Sequence, residues 1–124
     1  MEDTLSSEPL TIFTCTYDLL TWLIPRTRDF PRADRLVVTK RLQDAALDFQ
    51  EFIIEANRLR GRERLERLRQ ADAALDQVRL YLRLANRWDW LNEGQYRHVS
   101  KMVKEVGDLL GGWIKQSSGT TQAG

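Results

Sequence analysis

From Ala33 to Gly124 the chain contains no proline, and most of that reach is written in Leu, Ala, Arg, Glu and Gln. These residues lose little side-chain freedom on entering a helix. No stretch alternates apolar and polar residues for long enough to suggest a strand. The three prolines, at positions 9, 25 and 31, all fall in the first quarter. The prediction is an all-α protein.

The apolar spacing divides the chain into four helices. The first begins near Glu8, with Ser7 as N-cap and Pro9 close to the first helical position, where its missing N–H is no loss. It carries Ile12, Cys15, Leu19, Trp22 and Leu23, is open to a kink at Pro25, and ends at Phe30-Pro31. The second starts at Ala33 or Asp34 and presents Val38, Leu42, Ala45, Phe49, Phe52 and Ala56, steps of three and four that hold one face. Asn57 to Gly61 breaks it, with Gly61 suited to a left-handed turn. The third, from about Arg62 to Asn86, presents Leu65, Leu68, Ala71, Leu75, Val78, Leu82 and Ala85. A turn at Arg87 to Leu91 holds two tryptophans. Asn92 then caps the fourth, whose stripe is Tyr96, Val99, Val103, Val106, Leu110 and Trp113.

Long helices joined by short connections favour antiparallel neighbours, hence an up-down-up-down four-helix bundle. At 124 residues the chain makes one domain. The bundle is expected over residues 8–115, between disordered tails at 1–7 and 116–124.

Several chemistries are disfavoured. Cys15 is the sole cysteine and His98 the sole histidine, which leaves no intrachain disulfide and few ligand sets for zinc. No Glu-x-x-His, the signature of di-iron bundles, occurs, and no phosphate-cradling glycine loop precedes a helix. A Cys15–His98 nucleophile pair is conceivable, but Cys15 falls on an apolar face, where cysteine is usually a small buried hydrophobe. No segment approaches the ~18–20 apolar residues of a membrane span. The expectation is a cytoplasmic non-enzyme with no cofactor and no metal.

Charge is the more informative property. The net is +1, yet residues 1–25 contain no Lys or Arg, while residues 58–69 read RLRGRERLERLR. Arg58, Arg60, Arg62, Arg64, Arg67 and Arg69 therefore crowd the turn between helices two and three. They suit phosphate backbones met without reading bases, or a partner's acidic surface; a merely solvated turn is the plainer reading. Asp72, Asp76, Arg79 and Arg83 step by four, three and four, a polar seam that serves either surface pairing or contact between subunits. Gly107, Gly111 and Gly112 precede Trp113, and each glycine inside a helix costs about 1 kcal/mol relative to alanine. Gly107 and Gly111 share a face, where close approach of a helix from this chain or a neighbour would compensate; fraying of the helix end is the alternative. Trp88 and Trp90 either stack on bases or plug one end of the bundle.

The text ADAALDQVRLYLRLA, followed by LNEGQYRHVSKMVKEVGDLLGGWIK, resembles the accessory variability determinant (Avd) proteins of diversity-generating retroelements. The residues that carry the likeness are Ala71-Asp72, Arg79, Arg83, Gln95-Tyr96 and the run Glu105 to Ile114. Pro31, Ala46-Leu47 and Glu55-Ala56 fit more loosely. The resemblance implies a non-catalytic four-helix protein that assembles into a homo-pentameric barrel. Such a protein binds reverse transcriptase and template RNA, and with them DNA, during mutagenic cDNA synthesis. In that setting the six hairpin arginines are contacts for nucleic acid or polymerase. Asp72, Asp76, Arg79, Arg83, Gly107, Gly111 and Trp113 serve packing and assembly. The chain also resembles four-helix proteins encoded by intervening sequences in large ribosomal RNA genes; a scaffold with protein partners alone is a further possibility.

Overall fold

The computed structural model describes the backbone of residues 3–123 and the side chains of residues 11–119. Among them lie four α-helices: α1 (Asp3–Thr27), α2 (Lys40–Arg58), α3 (Gly61–Arg87) and α4 (Glu93–Ala123). No strand occurs among the described residues. Each helix packs on its sequence neighbour, and α1 packs on α4, which closes the four into a bundle.

Contacts between helices show that neighbours run antiparallel. Gln43 Nε2 donates to Thr27 Oγ1 at 2.8 Å between α2 and α1, and Arg67 Nε donates to Glu55 Oε1 at 2.9 Å between α3 and α2. Between α1 and α4, Phe13 meets Trp113 and Trp22 meets His98, with ring centroids 6.2 and 5.2 Å apart. The expected stripes of α3 and α4 are the observed core: Leu68, Ala71, Leu75, Val78, Leu82 and Ala85 face Val99, Val103, Val106, Leu110 and Trp113. Leu65 and Tyr96, at the ends of those stripes, are half-buried.

Three helices differ from expectation at their ends. α1 begins at Asp3, not near Glu8, and stops at Thr27, before Phe30-Pro31. The side chains of Ser7 and Pro9 lie outside the described residues. α4 continues through 116–123, where a tail was expected. The extension packs: Ser117 is buried at 8% exposure. A polar composition suggests disorder only when nothing covers the segment, and here one face is covered.

The third difference is at the start of helix two. A 3-10 turn (Arg32–Asp34) and a π turn (Arg35–Thr39) precede α2. Val37, Val38 and Thr39 are consecutive β-branched residues, whose branches crowd the preceding turn of an α-helix; the wider turn falls on them. Its extra residue shifts the inward position from Val38, half-buried, to Thr39, buried, and leaves Leu36 and Val37 exposed. Later in α2, Ile53 takes the fully buried position expected of Phe52, which packs at the rim of the core.

The caps are explicit. Gly61 takes φ +58° at the start of α3, the left-handed conformation that glycine adopts freely. α3 ends in a Schellman motif: Trp90 N–H donates to Ala85 O at 2.8 Å and Asp89 N–H to Asn86 O at 3.1 Å, with Asp89 at φ +63°. Asn92 and Gln95 form a reciprocal capping box. Gln95 N–H donates to Asn92 Oδ1 at 2.8 Å, and Asn92 N–H to Gln95 Oε1 at 2.9 Å.

Candidate functional site

The connection from α2 to α3 is only Leu59 and Arg60, so six arginines emerge from two helix ends and a tight turn. They do not act alike. Arg64 Nε donates to Ala56 O at 3.0 Å, which also accepts the Leu59 N–H, and its Nη2 donates to Asn57 O at 3.4 Å, so this side chain caps the end of α2. The same guanidinium lies 5.8 Å from the Trp113 ring centre. Arg67 pairs with Glu55. These two hold the hairpin together. Arg58, Arg60, Arg62 and Arg69 are exposed and, among the described residues, form no ion pair or side-chain hydrogen bond. They are the cations free to meet a polyanion.

In the α3 seam, Arg79 Nη1 donates to Asp76 Oδ1 at 2.8 Å. Both side chains are substantially exposed, so the pair is worth at most about 1 kcal/mol. Asp72 and Arg83 are exposed and no pair joins them to this one. Gly107 explains where Arg79 lies: a Cβ at Gly107 would sit 2.5 Å from Arg79 Nη2. The absent side chain lets that guanidinium rest against α4. Gly111 and Gly112 have nothing within 4 Å of a Cβ. Close approach within the chain thus accounts for Gly107 alone. Fraying accounts for none of the three, since α4 continues beyond them.

Arg79 and Arg83 line a groove of about 320 Å³ between α3 and α4, with Tyr96, Ser100 and Lys104 opposite. Lys104 pairs with Asp108 at 2.9 Å. Arg97 and Lys101 continue the basic face along α4. Sequence reasoning missed this cluster, although the steps from Arg97 to Lys101 to Lys104, four and three, were a legible signal.

A catalytic pair is not assembled. Cys15 lies beside Glu105, whereas His98 packs on Trp22, seven residues and so roughly 10 Å further along α1. Burial pushes the Cys15 thiol above its ordinary pKa, and the hydrogen bond and charge of Glu105 add to this, with Asp18 contributing. A thiol so protonated is a poor nucleophile. Among the described residues no three His, Cys, Asp or Glu side chains gather as a metal site, and no helix is long and apolar enough to cross a membrane.

A family model described as bAvd-like matches residues 10–117, a span that takes in parts of all four helices and both basic clusters. The chain belongs to the bAvd-like family. A solved protein of unknown function from the S23 ribosomal protein family of Bacteroides thetaiotaomicron is similar in fold. Its TM-score is 0.79 at 16% identity, over 87% of this chain and 98% of that one. No curated protein matches.

In this bAvd-like chain the role of Gly107 can be separated from its helix propensity. Gly107→Ala forces only the mobile end of Arg79 aside, with Leu75 Cδ2 at an ordinary 3.5 Å, and it removes a penalty of about 1 kcal/mol. The variant is expected to melt no lower than the parent. A fall in the thermal midpoint would show that the Arg79 placement itself stabilises the bAvd-like fold.

Proposed function

We propose that this bAvd-like protein is a non-catalytic accessory subunit of a diversity-generating retroelement. It acts in the cytoplasm as a homopentameric ring that holds reverse transcriptase and template RNA, and the DNA copied from it, without a cofactor. The observation that carries the reading is the family match across residues 10–117 together with four unpaired arginines at one end of the rod. Multiplied around a ring, these give many weak phosphate contacts at high effective concentration. The polymerase chemistry resides on the other chain, and this one contributes electrostatic positioning. Asp72, Asp76, Arg79, Arg83, Gly111 and Trp113 are the proposed packing and assembly residues. Leu47 and Ile54, seven apart on the outer face of α2 and both exposed, add apolar surface for a neighbouring copy.

The test is co-purification with the reverse transcriptase and RNA of the same element, with mass read by light scattering. The expected mass without partners is about five times 14.5 kDa. A monomer at micromolar concentration that retains neither polymerase nor RNA overturns the proposal. A scaffold for protein partners alone, which would use exposed Leu36, Val37 and Trp88, predicts instead salt-insensitive association and no shift of RNA in a gel.

A further inference from the structure

The α1–α2 connection, at the far end of the rod from the arginine hairpin, encloses a cavity of about 200 Å³. Thr27 from the end of α1, Arg28 from the turn after it, Arg35 and Thr39 from the π turn, and Gln43 from α2 line it, with Phe30 as an apolar wall. Thr27 and Thr39 are each 3% exposed. The Thr27 hydroxyl is fully engaged: it donates to Ile24 O at 2.6 Å and accepts from Gln43 Nε2 at 2.8 Å. Thr39 Oγ1 is buried with no partner.

The vacant hydroxyl sits at the end of the π turn. In an ordinary helix a threonine can donate back to the carbonyl four residues earlier. For Thr39 that carbonyl is Arg35 O, which here accepts the Lys40 N–H across the wider turn. Buried hydroxyls in native interiors nearly always find a partner, and this one belongs to a residue that lines the cavity beside Arg28, Arg35 and Gln43. Arg28 and Arg35 form no ion pair among the described residues, although Asp29 and Asp34 adjoin them in sequence; neither aspartate lines the cavity.

We propose that this cavity binds a phosphate group, either free orthophosphate or the phosphate monoester of a small molecule. Two guanidinium groups match its dianion. The Thr39 hydroxyl and the second N–H of Gln43 add donors from the π turn and from α2. Donors arriving from three elements suit a tetrahedral oxyanion; a carboxylate offers two coplanar oxygens to one fork. The site is separate from Arg58–Arg69, since the 19-residue α2, roughly 28 Å long, lies between them, and its occupancy is independent of RNA or ring assembly.

The test is titration of the full-length protein with sodium phosphate, followed by calorimetry and thermal melting, with chloride and acetate at matched ionic strength as controls. Phosphate is expected to give saturable heat and a raised melting temperature, and the controls neither. Thr39→Val keeps the shape and removes only the unpartnered hydroxyl. It should bind about tenfold or more weakly while melting no lower than the parent in chloride. Arg28→Gln and Arg35→Gln should weaken binding by at least a similar factor. An adenosine monophosphate arm assigns the source: tighter binding than orthophosphate identifies an esterified ligand, equal or weaker binding the free ion. Parent-like affinity in Thr39→Val, or an equal response to acetate, overturns the assignment.

Discussion

Replacing Arg58, Arg60, Arg62 and Arg69 together by glutamate is expected to reduce association with single-stranded RNA by about a hundredfold or more at moderate salt, with helix content unchanged. The four side chains project to solvent and pair with nothing among the described residues, so their removal strips charge without breaking a contact. Each phosphate neutralised on a single strand releases about 0.7 counterion. Losing four contacts should therefore flatten the log–log salt dependence by about three per bound copy. Fluorescence anisotropy across a potassium chloride series reads the slope, and circular dichroism reads the helix. The contrast variant is Arg64→Gln with Arg67→Gln. Those side chains hold the Ala56 and Asn57 carbonyls and Glu55, so it should lower stability and leave most of the salt slope intact. An unchanged slope in the fourfold glutamate variant removes the hairpin from the RNA surface.

Trp113→Ala is expected to destabilise the bundle by about 3–5 kcal/mol, a large part of the 5–15 kcal/mol typical of a domain. Trp113 is 4% exposed and joins three helices. It belongs to α4, meets the Phe13 ring of α1 edge-on at 77°, and lies under the Arg64 guanidinium of α3. Gly111 and Gly112 just before it have no side chains with which to fill the void. With a urea slope of about 1–3 kcal/mol per molar, the midpoint should fall by roughly 2 M or the protein should be unfolded at the outset. Trp113→Phe, which keeps an aromatic ring in the same place, should recover much of the loss. A cost below about 1 kcal/mol for the alanine variant would mean that the tryptophan does not close this end of the core.

The interior was legible wherever it depended on one helix at a time. Leu68 to Ala85 and Val99 to Trp113 repeat with the helical period, and that period decides which face leaves water. Gly61 and Asn92 were legible for the same local reason, since their roles depend on the conformation of a single turn. What was hidden depends on register between helices. Nothing in the string of arginines distinguishes Arg67, paired to Glu55 twelve residues away, from Arg69, paired to nothing. The role of Gly107 likewise became visible only with Arg79 beside it. The π turn was missed because a one-residue insertion leaves hydrophobic composition untouched while rotating everything before it. It exchanged Val38 for Thr39 at the inward position, and the cavity at that turn followed from the exchange. The basic face of Arg97, Lys101 and Lys104 obeyed the period throughout, but its three members are diluted along the chain by Glu93, Glu105 and Asp108, of which Glu93 lines the same groove and Asp108 pairs with Lys104.

Phe13 of α1 and Trp113 of α4 meet beside Arg64, and both helices run roughly 15 Å further in that direction, so whatever is joined ahead of α1 or behind α4 lies on the arginine-hairpin side of the rod. A purification tag or fused reporter at either terminus would crowd those guanidinium groups and, if acidic, mask them. A dye placed instead at Asp89, in the opposite turn, would watch the same rod from its distant tip and leave the hairpin clear.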